Sequence, residues 1–124
     1  MTMHSYLLTA GDAALETWGT PEDIGCETVE GAVSLAGSFD LGSPDDAVFG
    51  GRFSASKGKY RVTYGFDEHA TVLDGEVALT DEDSGKTQVY GPGDAWIIKK
   101  GTRVLWDIRS EKVVKSYMAV VRSD

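Results

Sequence analysis

Histidine and cysteine are both scarce in this chain: two histidines and one cysteine among 124 residues. The lone Cys26 cannot close a disulfide within the chain, which fits a reducing compartment and reads as a buried structural thiol. His4, near the start, reads as solvated. Clustered basic residues are also missing. The net charge is −8 and the densest cationic patch, "IKKGTR", is flanked by Asp94 and Asp107, so no nucleic-acid partner is expected. No run approaches the ~20 apolar residues of a membrane helix, so no membrane span is expected. The opening "MTMHSYLLTA" lacks a charged segment before its short apolar run, so no signal peptide is expected and a cytoplasmic location follows.

Catalytic signatures are equally thin. No G-x-S-x-G occurs, and Cys26 has no histidine near it in sequence. "DSGKT" ends like a phosphate loop, but Thr80 stands where the first glycine is needed and "TQVY" reads as a strand, not a helix. "DEDSG" has the acidic start of a calcium loop, yet its glycine comes one residue early and Pro92 replaces the closing glutamate. Both stretches read as turns.

Glycine and short strand patterns are plentiful. Fifteen glycines with 41% apolar residues describe a turn-rich β protein with a sizeable core. "GDAALETWG" has room for a helical turn or two. From Cys26 onward the pattern turns strand-like, broken at "GSPDD". "AVFGGRFSAS" and "GKYRVTYGF" read as two strands joined at "SKG", and in the second Tyr60, Val62 and Tyr64 share one face. "HATVLDGEVALT" bends at Asp74-Gly75, "DEDSG" tips a hairpin, turns fall at "GPGD" and "KKG", and "VVKSYMAVV" closes the chain. Turn signals every 8 to 12 residues point to a sandwich or barrel.

A strand ending in Asp-Gly, a hairpin, Gly-Pro-Gly-Asp, an apolar strand and a turn before "VLWDI" together resemble the cupin family. Its two motifs read G-x5-H-x-H, three or four residues, E-x6-G, and G-x5-P-x-G-x2-H-x3-N. Glu68 and Gly75 match E-x6-G, and Gly93 and Gly101 match the second glycine frame. The resemblance runs from about Ala47 to Val121 and implies an all-β cupin double-stranded β-helix, a jelly-roll barrel in one domain. Residues 46–124 would form the barrel core, and residues 1–45 would be strands or an extension packed on it or on a partner. Gly58, Lys59, Tyr60, Arg61, Tyr64, Glu68, Gly75, Gly93, Asp94 and Trp106 are similar to the small single-domain cupins grouped with the ureidoglycine aminohydrolase cupin domain and with the ethanolamine-utilisation proteins.

The departures bear on function. Carried over, the two histidines of the first motif fall at Val62 and Tyr64, the second motif's histidine at Val104 and its proline at Lys99. Only Glu68 remains of the metal frame, and a transition metal needs three or four donors. No metal cofactor is expected beyond weak or adventitious divalent binding. His69 points away from Glu68 on a strand, toward the outer face.

Strand parity places Tyr60, Val62 and Tyr64, then Glu68, Ala70 and Val72, then Val104, Trp106 and Ile108 toward the barrel interior. Glu68 and Tyr64 are the candidate catalytic pair, and Tyr60, Val62, Ala70, Val104, Trp106 and Ile108 the candidate ligand-binding residues. A buried carboxylate suits a general base or an anchor, and Trp106 suits stacking on a flat ligand. A filled core, with Glu68 satisfied by Tyr64 or a backbone N–H, is the competing reading.

Three functions stay open: a small-molecule-binding cupin without tightly bound metal, a non-catalytic ligand-sensing or dimeric module, and a metal-dependent aminohydrolase-like enzyme of nitrogen metabolism. A homodimer is expected, its exposed edges covered through "GAVSLAGSFDL" and "SYMAVV".

Overall fold

The computed structural model describes residues 2–8 and 15–123. Among the described residues, nine strands carry the fold: β1 (Glu16–Gly19), β2 (Glu27–Glu30), β3 (Leu35–Leu41), β4 (Val48–Thr63), β5 (Asp67–Asp74), β6 (Val77–Asp81), β7 (Thr87–Tyr90), β8 (Ala95–Ile98) and β9 (Arg103–Val120). One 3-10 turn, Pro21–Ile24, lies between β1 and β2. All pairings are antiparallel, as expected for an all-β jelly roll. Of the helical turn expected at "GDAALETWG", residues 11–14 lie outside the described residues, and from Glu16 onward the stretch is not helix but the strand β1.

β4 and β9 are the spine. β9 spans 18 residues and β4 spans 16, and they pair along nearly their whole lengths. The expected break at "SKG" is therefore no turn, and "VLWDI" and "VVKSYMAVV" belong to a single strand. Between the pairs Ser56↔Lys112 and Gly58↔Ile108, β4 passes one residue and β9 passes three. This bulge bends both strands together and resets their parity. Before it, Phe49, Phe53 and Ala55 face inward on β4; after it, Tyr60 and Tyr64 do. On β9, Val104, Trp106 and Ile108 face inward before the bulge, and Val113, Lys115 and Ala119 after it. The bulge thus keeps one continuous interior on two strands that change direction.

The bend divides the sheet into two halves that face each other. One half runs β1-β3-β4-β9-β5-β8, using the first part of β4 and the last part of β9. The other joins β2, the last part of β4, the first part of β9, β6 and β7. Trp106 from the second half meets Phe53 and Trp96 from the first, with ring centroids 5.8 and 5.7 Å apart. These edge-on contacts close the core.

The polar stretches behave as their turn chemistry dictates. Asp81 Oδ1 accepts from the backbone N–H groups of Asp83 and Ser84 at the tip of the β6–β7 hairpin. Asp94 accepts from the Gly91 N–H across "GPGD". Gly75 sits at φ +85° with its Cα packed against the Lys112 carbonyl and Val113, where no side chain fits.

The segments expected at open edges are not edges. β3 is flanked by β1 and β4, and the end of β9 by β4 and β5, because the long central strands recruit partners on both sides. Among the described residues, β1, β2, β7 and β8 each pair on one side only. Among the described residues, no helix is long and apolar enough to cross a membrane.

Candidate functional site

Glu68 stands at the start of β5, where period-2 alternation turns it inward and leaves His69 exposed. Its carboxylate is 3% exposed and accepts from three side chains brought by three different parts of the chain. Tyr64, following β4, donates its hydroxyl to Oε1 at 3.1 Å. Trp96 on β8 donates its indole N–H to the same oxygen at 2.9 Å. Lys115 on β9 donates from Nζ to Oε2 at 2.7 Å, forming an ion pair.

Lys115 is itself buried, 4% exposed. Its ammonium lies 4.6 Å from the Trp106 ring, 4.9 Å from Phe53, and 5.6 Å from both Trp96 and Tyr117. Ring faces and one carboxylate replace the water such a charge would otherwise hold. Burial still outweighs the pull of Glu68, so the ammonium is held below the ordinary lysine pKa. Burial, with the Glu68 charge second for Tyr64, pushes the Tyr64 and Tyr60 hydroxyls well above the ordinary tyrosine value, so both stay neutral donors.

Above this cluster opens a cavity of about 470 Å³. Phe53, Tyr60, Trp106 and Tyr117 form its aromatic wall, with Glu68, Tyr64 and Lys115 at its inner end. The exposed residues Glu16, Ile24, Phe39 and Pro44 also line it, which places its mouth on their side. Trp18 stacks on Phe39 beside that mouth, with centroids 4.8 Å apart. Cys26 is half-buried on the wall, and burial raises its thiol to about 11, so it remains a thiol rather than a thiolate. The Trp106 indole N–H, fully buried, makes no well-formed hydrogen bond.

The candidate residues divide accordingly. Glu68, Tyr64, Tyr60, Val62 and Trp106 come together around the cavity. Ala70 and Ile108 do not line it: they are 1% exposed and packed in the core, Ala70 beside Trp96, its pairing partner on β8. Val104 is buried facing a second cavity, about 610 Å³, near the β6–β7 hairpin and β8. Parity sends all three inward as expected, but an inward side chain can pack against the opposite half as readily as face a space.

Lys115 was missed because no motif includes it. Its signal was present in "VVKSYMAVV": with alternation, Val113, Lys115, Tyr117 and Ala119 share one face, and a lysine among them has its charge turned inward.

The sequence model described as the EutQ-like cupin domain matches residues 42–117. The chain belongs to that family. Among solved structures, this cupin is similar to the ethanolamine utilization protein EutQ of Salmonella typhimurium, at 24% identity over 73% of this chain and 70% of that one, with a TM-score of 0.58. It also matches a Pseudomonas syringae protein of unknown function, at 16% identity over 87% of this chain and 45% of that one, TM-score 0.73. The polyketide cyclase RemF of Streptomyces resistomycificus aligns over 98% of this chain and 80% of its own, at 18% identity and a TM-score of 0.62. No curated protein matches the chain.

The metal frame of cupins can be tested on this donor set. Val62 and Val104 offer no donor, Tyr64 is a neutral phenol, and the Glu68 carboxylate already carries the Lys115 ammonium. Among the described residues no group of three or more His, Cys, Asp or Glu gathers. These residues do not fit a divalent ion, whose charge beside Glu68 is supplied here by the chain's own lysine.

Proposed function

We propose that this cupin binds a flat, largely apolar small molecule, with the Glu68–Lys115 pair and Tyr64 as the polar end of the pocket. The observation that carries the reading is a buried ion pair at the inner end of an aromatic-walled cavity. About 470 Å³ lies within the usual range for a small-molecule site, roughly 300–1,000 Å³. Aromatic walls favour a planar ligand, and the inner cluster offers donors from Tyr64 and Lys115 beside the carboxylate of Glu68. Occurrence of the same fold in a polyketide cyclase accords with this ligand class.

Glu68 as proton acceptor and Lys115 or Tyr64 as donor give the pocket acid–base capacity without a metal. A non-catalytic, ligand-sensing module is the second reading. It is favoured by the full engagement of Glu68 within the protein, since all three of its donors are already seated. The metal-dependent aminohydrolase reading finds no support in the donor set.

The test uses the chain's three tryptophans, all of which sit at or beside the site. Planar aromatic acids, phenols and aldehydes are titrated while intrinsic fluorescence is followed. Saturable quenching is expected, lost when Val62→Phe fills the pocket and weakened at least about tenfold by Glu68→Gln. If no compound saturates, or the filled pocket binds as well as the open one, the reading is wrong.

A further inference from the structure

We propose that Lys115 is a nucleophile that captures the carbonyl carbon of a planar, unsaturated aldehyde or ketone and holds it as an imine. The inference rests on the pocket reading above and names the reactive group its ligand would carry.

Four observations converge. Lys115 is the one lysine buried among the described residues, and it lines the cavity rather than the surface. Rings on several sides of Nζ shield it from water, which otherwise hydrolyses imines. Glu68 Oε2, at 2.7 Å, is placed to take the proton that the ammonium must lose before attack. The Tyr64 hydroxyl, bonded to Glu68 Oε1, also lines the cavity and stands beside the carbonyl oxygen that a ligand on Lys115 would present. A lysine paired with a carboxylate suits a carbonyl better than a carboxylate ligand, whose charge would repel Glu68.

The step balances without an oxidant or reductant. Glu68 takes a proton from the Lys115 ammonium, and the freed lone pair forms the C–N bond as the carbonyl π pair moves to oxygen. Proton transfer from nitrogen to that oxygen, through Glu68 or Tyr64, gives the neutral carbinolamine. Protonated by Glu68, its hydroxyl leaves as water when the nitrogen lone pair forms C=N. The product is an iminium facing the Glu68 carboxylate, so the buried charge pair is retained and one water is released.

The experiment incubates the whole protein with cinnamaldehyde, adds borohydride, and maps adducts by peptide mass spectrometry, while tryptophan quenching reports binding separately. The expected result is a reduced cinnamyl group on Lys115, absent in Lys115→Arg and suppressed in the pocket-filled Val62→Phe. Lys115→Arg keeps the positive charge against Glu68 while removing the nucleophile, and its near-ultraviolet circular dichroism and tryptophan quenching check that the pocket is intact. Glu68→Gln should slow adduct formation by about 100-fold. Saturable quenching without an adduct at Lys115, or adducts on surface lysines alone, overturns the nucleophile and leaves the pocket standing. Absence of saturable quenching by any planar compound overturns both.

Discussion

Lys115 and Glu68 form an ion pair at 2.7 Å in which neither side chain is more than 5% exposed. Such a pair is costly to bury and costlier to break, because removing one partner strands the other charge. Lys115→Met is therefore expected to destabilise the fold by about 3–5 kcal/mol. Glu68→Gln combined with Lys115→Met leaves a neutral pair, and the double variant should recover most of that loss. Urea denaturation of the four proteins of this cycle measures the coupling. Additive single effects would show that the two groups do not hold each other.

All five tyrosines have raised pKa values, each with burial as the leading cause. Tyr6 is pushed up to about 12, and Tyr60 and Tyr64 are well above the ordinary value. A group whose folded pKa exceeds its unfolded value stabilises the fold below the unfolded value and loses that contribution as pH rises. Stability contributed by these groups should thus be complete below pH ~10 and fall above it. Tyrosinate absorbance should stay low past the ordinary midpoint and then rise together with loss of near-ultraviolet circular dichroism. Independent tyrosine titration around pH ~10 in a folded protein would contradict the burial described.

The site was half legible in the sequence. Glu68 and Tyr64 were found because E-x6-G fixes the carboxylate, and alternation then fixes which neighbours share its face. Lys115 lies on a strand that no motif covers; alternation within "VVKSYMAVV" groups it with Val113, Tyr117 and Ala119, but parity carried on from Trp106 would turn it outward, because the bulge resets the alternation. Continuity itself was hidden: "SKG" and "RSEK" are polar and turn-like, yet they form the two sides of one bulge, and pairing across β4 and β9 overrides local turn preference. Ala70, Val104 and Ile108 show the complementary limit. Alternation tells which way a side chain points, whereas the boundary between cavity and packed core depends on the opposite half of the sheet.

Divalent metal should leave the protein's stability unchanged. A ligand that binds only the folded state raises stability by RT ln(1 + [L]/Kd), about 2.7 kcal/mol at a hundredfold excess over Kd. With Lys115 seated on Glu68 and valines at 62 and 104, manganese or zinc finds no preformed site. Thermal unfolding with and without each metal should coincide. A rise in Tm with metal that disappears in Glu68→Gln would restore the metal frame.

Two glycines separate conformational strain from lack of space. Gly75 and Gly85 have nearly the same backbone, φ +85° and +77°, so alanine at either pays the left-handed penalty of roughly 1–2 kcal/mol. They differ in surroundings: a Cβ at Gly85 meets nothing within 4 Å, whereas at Gly75 it runs into the Lys112 carbonyl and comes within 2.9 Å of Val113 Cα. Those atoms lie at the β9 bulge, two to three residues before Lys115, where β4 and β5 pair with the strand on both sides. Gly85→Ala is expected to cost about 1–2 kcal/mol and Gly75→Ala at least about 2 kcal/mol more. Chemical denaturation gives both values, and the Gly75 variant should also show weaker ligand quenching because its strain reaches Lys115. Equal costs at the two positions would mean that the Asp74–Gly75 turn is not packed against β9 as the structure has it.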